Sequence, residues 1–151
     1  MNRFDVISTE QMSPRQREVA AAITSGPRGA LKGPFLALIH NPELADKVQA
    51  LGEHLRFGTG LAQRLLEVAV LVTARRWSCQ YEWHAHARLA REAGLNEQII
   101  EAIAVQARPA SMDDDEALIH DFAHQTVWQG VPSDASFDRW PRATARPWRW
   151  T

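Results

Sequence analysis

Three properties of the sequence predict an all-α fold. Apolar residues recur at helical spacing from about residue 14 to 129, and no segment alternates with a period of two. Helix starts and stops punctuate that pattern: Ser13-Pro14, Asn41-Pro42 and Asn96 on one side, Gly26-Pro27, Gly58 and Gly94 on the other. The run from Leu61 to Trp77 is apolar almost all round and, at 17 residues, too long for a strand. The expected architecture is a compact bundle of about six helices.

Each element follows from local chemistry. Ser13 is an N-cap and Pro14 the first helical residue of a segment that stops at Gly26-Pro27. A loop with three glycines and two prolines leads through the short apolar segment FLALI to His40-Asn41-Pro42. Asn41 caps the next helix, along which Leu44, Val48, Leu51 and Leu55 repeat at helical spacing, with Gly58 and Gly60 as breakers. The apolar helix follows, Glu67 its only carboxylate, and then a helix over about 79–93 that closes at Gly94. Asn96 caps EQIIEAIAVQA. Asp113 to Glu116 place negative charge at the start of a helix running to Gln129-Gly130, where the macrodipole favours it, with Leu118, Ile119, Phe122 and Ala123 on the inner face. Ser133 caps one short helix, DASFDRW, before an irregular Arg/Trp/Pro tail in which prolines forbid a regular helix. The expected organisation is one helical domain over 1–135 and a tail over 136–151.

Composition excludes several classes of function. The chain has 151 residues, a net charge of −1 and a pI near 6.6, without the basic excess that holds nucleic acid. A single cysteine excludes an intramolecular disulfide and a cysteine-based zinc site. The N-terminus has no long apolar segment, and no run approaches the roughly 18 apolar residues of a membrane span, so neither membrane nor nucleic acid is an expected partner and the expected location is cytoplasmic.

The chemistry concentrates between Glu67 and His86. At about 100° per residue, Cys79, Glu82, Trp83, His86, Leu89 and Ala90 fall on one stripe, opposite Gln80, His84, Arg88 and Arg91. That puts a carboxyl and an imidazole on the inward face, which costs free energy unless they pair. Two readings fit: a buried polar network that merely satisfies itself, and an acid/base site in which Glu82 and His86 are i,i+4 neighbours, Glu67 faces them from the preceding helix, and Cys79 occupies a helix N-terminus where the dipole favours a thiolate. Trp77, Tyr81 and Trp83 are candidate pocket walls or packing residues, and His40, beside a helix cap, has the same two readings. His84 and His86, about 200° apart, cannot chelate one ion; His120 and His124 have ligand spacing but no third ligand nearby. Neither metal nor cofactor is expected.

The spacing Glu67-x11-Cys79-x2-Glu82-x3-His86 resembles the carboxymuconolactone decarboxylase and alkyl hydroperoxidase D superfamily, whose peroxidase branch reads Glu-x11-Cys-x2-Cys-x3-His. The words ALIHNPEL, LRFG, RLLEVAVLVTARRWSCQYEWHAHARLAREAGL and NEQIIEAI are similar to its decarboxylase-type members over residues 30–135. Glu82 stands at the second-cysteine position, so a dithiol peroxidase cycle cannot close within one chain. The resemblance therefore implies cofactor-free acid/base decarboxylation of a small carboxylated lactone or related ring compound, with His86 as proton donor and Glu67 or Glu82 tuning it. Its alternative is an antioxidant, peroxiredoxin-like hydroperoxide reductase using Cys79 with an external thiol; a third is a non-catalytic member whose oligomer binds a ligand or partner. The family's long final apolar helix is missing after Ser133-Asp134, a pattern a truncation or shifted reading frame would produce. Apolar surface left open in this way, together with the family's habit, implies a homo-oligomer, a trimer or hexamer.

Overall fold

The structure, a computed structural model, describes residues 4–143, with side chains to residue 139; Arg146, Trp148, Arg149 and Trp150 of the tail lie outside the described residues. Among these the fold is all-α: eight α-helices and one turn of π-helix, with no strand. None of the helices is long and apolar enough to cross a membrane. Two compact units divide the chain, Met1–Thr59 and Gly60–Thr151.

In the first unit, α1 (Pro14–Ser25) begins with a complete capping box: the Ser13 hydroxyl accepts from Gln16 N–H while the Gln16 side chain accepts from Ser13 N–H. A single turn, α2 (Phe35–Leu38), occupies FLALI, and α3 (Pro42–Glu53) starts where the Asn41 side chain accepts from Leu44 N–H. Val19, Ile23, Phe35, Ile39 and Ala45 form the core of this unit, and Arg15 ties α1 to α3 through Glu43 and Asp46. The apolar residues that repeat at helical spacing along α3 and into the following turn face outward. Leu44, Val48, Leu51 and Leu55 are 47%, 37%, 61% and 48% exposed, whereas Ala45 joins the core with Val19 and Ile23 of α1 and Phe35 of α2. The chain leaves through the π-helical turn His54–Gly58.

The second unit is built on α4 (Gln63–Arg76), against which α5 (Gln80–Glu92), α6 (Glu97–Ala104) and α7 (Asp114–Gln129) pack. Leu65, Val68, Leu71 and Val72 of α4 meet Ala87, Ala90, Ile99, Ile103 and Ile119 in one core. The small alanines on α5 allow close approach of α4, and this brings their polar side chains within hydrogen-bond range. A last helix, α8 (Asp134–Ala143), packs on α7. It extends past the expected DASFDRW through Pro141, which so near the helix end removes one backbone bond without stopping the helix. The eight α-helices are the six main ones expected, the short helix expected after Ser133, and the single turn α2.

Helix α7 carries two testable caps. Asp113 accepts from Glu116 N–H at 2.8 Å and pairs with Arg64 at 2.9 Å. The Glu116 amide, then the Arg64 charge, hold its carboxyl below the ordinary value of 3.8, against the opposing effect of burial. A folded value below the unfolded one makes the contribution fully present above pH 3.8 and lost as pH falls through the folded value. Asp113→Ala should cost about 1 kcal/mol in urea titrations at neutral pH, and the difference from wild type should shrink below pH 3.8. At the other end Gly130 has φ of 84°, with open space where a Cβ would stand. Gly130→Ala should therefore cost about 1 kcal/mol through backbone conformation alone.

Candidate active site

The three-residue connection from α4 to α5 sets the site. Arg75 and Arg76 end α4, where positive charge suits the C-terminal dipole. Ser78 then adopts a left-handed φ of 50°, and Cys79 N–H bonds back to the Ala74 carbonyl at 2.9 Å. This reversal makes Cys79 the N-cap of α5, and the two helices return side by side.

Glu67 is completely buried in α4 and His86 is 9% exposed in α5. Glu67 Oε2 lies 2.6 Å from His86 Nδ1, and His86 Nε2 lies 3.3 Å from Oε2 of Glu82, one turn earlier on α5. The structure thus brings three of the sequence-derived candidates into one chain of contacts, Glu67–His86–Glu82. Each imidazole nitrogen therefore faces a carboxyl oxygen, so a proton carried on either one has an oxygen within reach to receive it. Glu82, with its side chain 37% exposed, forms the outer end of the relay and meets solvent.

One member of this network escaped the sequence reading. The Gln63 side-chain amide donates to Glu67 Oε1, leaving the buried carboxylate held at both oxygens. The signal was present: Gln63 is four residues before Glu67 on the same helix face.

Cys79, expected on the inward stripe, is exposed at the start of α5; it borders two cavities but takes no part in the Glu67–His86–Glu82 contacts. The larger, about 300 Å³ and open to solvent, lies between Trp77, Cys79 and Glu82 and an apolar wall of Ala69 and Val70. A smaller one of about 120 Å³ lies between Cys79, Arg75 and Trp83. Of the candidate pocket residues, Trp77 and Trp83 line cavities, Trp83 also packing on the core, whereas Tyr81 is 51% exposed. His40 belongs to the first unit, where its Nε2 lies 2.9 Å from the Asp5 carbonyl.

His120 and His124 do not converge on a point. Their rings stack at 5.9 Å with an interplanar angle of 15°, and His124 stacks in turn on Trp128 at 4.4 Å. Among the described residues no group of three or more His, Cys, Asp or Glu side chains is placed to hold a metal ion.

No curated protein and no solved structure matches the chain. The sequence pattern of the carboxymuconolactone decarboxylase family matches residues 42–120, just over half of the chain and the stretch that contains Glu67, Cys79, Glu82 and His86. With the all-α fold and the Glu67–His86 pair already in place, that match makes the chain a member of the carboxymuconolactone decarboxylase family.

Proposed function

We propose that the protein is a cofactor-free acid/base enzyme that decarboxylates a small carboxylated lactone or related ring compound. The observation that carries this reading is the contact chain from buried Glu67 through His86 to Glu82, which ends at an open, largely apolar cavity large enough for one ring. In the step it supports, the bond to the departing carboxylate breaks and its electron pair passes into a conjugated carbonyl as a dienolate. Carbon dioxide leaves, and the carbon takes a proton that His86 supplies by way of Glu82, the relay member that borders the cavity; solvent then restores the proton. Glu67, fixed by Gln63, orients the imidazole and balances its charge.

Carboxylated γ-lactone incubated with the protein in deuterated water should release carbon dioxide and give a product with one deuterium at the decarboxylated carbon. Glu82→Gln should lower the rate about a hundredfold by removing the relay's outer base, the lower end of the range for acid/base groups. No carbon dioxide release from such lactones by the folded wild-type protein would rule the reading out.

The exposure of Cys79 beside both cavities favours hydroperoxide reduction with an external thiol as a second reading. Peroxide consumption that requires added thiol and disappears with Cys79→Ser would support it. We also propose self-association, because Leu44, Val48, Leu51 and Leu55 leave an apolar stripe in water; light scattering should give a mass of several chains.

A further inference from the structure

A separate cavity of about 90 Å³ lies on the α6–α7 side of α4, and it shares no residue with the Glu67–His86–Glu82 relay. Arg75 lines one wall. Its Nε is buried without a hydrogen-bond partner, and among the described residues no carboxylate pairs with it. The cavity's other cation, Arg108, already has its counter-charge: its Nε and Nη2 donate to the two oxygens of the Asp121 carboxylate, at 2.9 and 2.8 Å. A half-buried guanidinium with no counter-charge is unfavourable, and an anion entering the cavity would relieve it.

The facing wall adds a second recognition element. His120 is 4% exposed, and its Nδ1 lies 3.0 Å from Asp121 Oδ1. A carboxylate oxygen only accepts, so Nδ1 carries the hydrogen. Burial holds the imidazole below its ordinary value of 6.5 and hence neutral, leaving Nε2 as a lone-pair acceptor for a hydroxyl. Val72 and Ile103 supply apolar walls. At about 15 Å³ per water-sized position, the space takes a ligand of about six heavy atoms.

We propose that this cavity binds a small hydroxycarboxylate anion, its carboxylate on Arg75 and its hydroxyl donating to His120 Nε2. The site is independent of the decarboxylase reading, since it neither contains nor contacts the relay.

Calorimetric titration of the full chain with lactate, a six-heavy-atom probe of this class, tests the assignment. Lactate should bind saturably and more tightly than acetate, which lacks the hydroxyl. Arg75→Gln should weaken lactate binding at least tenfold while raising the melting temperature of the unliganded protein, because an uncompensated charge has been removed. His120→Phe should reduce lactate to the affinity of acetate, whereas His120→Gln, which restores an acceptor, should recover part of the difference. Arg75 also borders the smaller cavity beside Cys79, whereas His120 borders neither cavity there, so the His120 variants report on this site alone. Absence of saturable lactate binding to the wild-type chain would overturn the proposal, as would equal affinity in wild type and in a folded Arg75→Gln.

Discussion

His86→Ala is expected to lower the stability of the protein by about 3–5 kcal/mol, because it leaves the fully buried Glu67 carboxylate facing only Gln63. The expected loss is large against the roughly 5–15 kcal/mol of a typical domain. It measures the uncompensated carboxylate rather than the strength of the pair, and the distinction is accessible. Replacing both partners, Glu67→Leu with His86→Leu, removes the buried polar groups together and should recover most of the loss, since well-packed apolar residues often replace a buried pair at little cost. Chemical denaturation of the two variants beside wild type checks this. A double variant no more stable than His86→Ala would mean that the pair contributes net stability of its own.

The second large effect belongs to the core. Leu71 is completely buried at the centre of α4, one turn after Glu67, where the helix meets the core formed by α5, α6 and α7. Leu71→Ala should cost about 2–5 kcal/mol, the range for deleting a buried leucine side chain when the surroundings collapse only in part. Because α4 carries Glu67, the cavity should also loosen the relay. The expected signature is a lower unfolding midpoint together with faster exchange of the His86 ring protons in NMR spectra.

The sequence made the second unit more legible than the first, for a physical reason. In α5 helical periodicity locates the inward face for His86 and Ala90 and for the partly buried Trp83, but not for Cys79, which is exposed, or for Glu82, whose side chain is 37% exposed. In α3 helical spacing identifies the helix but not its covered face: the leucines that repeat at that spacing are exposed, and Ala45 is the residue that joins the core. A one-turn helix such as α2 has no periodicity to read. In the site, the spacing from Glu67 to His86 located the candidates but could not tell which would touch. Contact between Glu67 and His86 depends on how α4 and α5 lie together, which the left-handed Ser78 and the small Ala87 and Ala90 determine. Gln63 was overlooked because an amide on an apolar helix gives no sign of its partner until the carboxylate it serves is known to be buried. Cys79, the most conspicuous residue in the sequence, proves to lie outside the Glu67–His86–Glu82 chain of contacts.

That last contrast separates proton transfer from thiol chemistry. The most direct test is the rate of carbon dioxide release from a carboxylated γ-lactone, measured side by side for wild type, Cys79→Ser and His86→Ala, with circular dichroism confirming that each is folded. The relay predicts that Cys79→Ser retains turnover within about twofold while His86→Ala loses a factor of about 10²–10⁴, the usual contribution of a positioned acid or base. Full decarboxylation by folded His86→Ala, or its loss in Cys79→Ser, would contradict it.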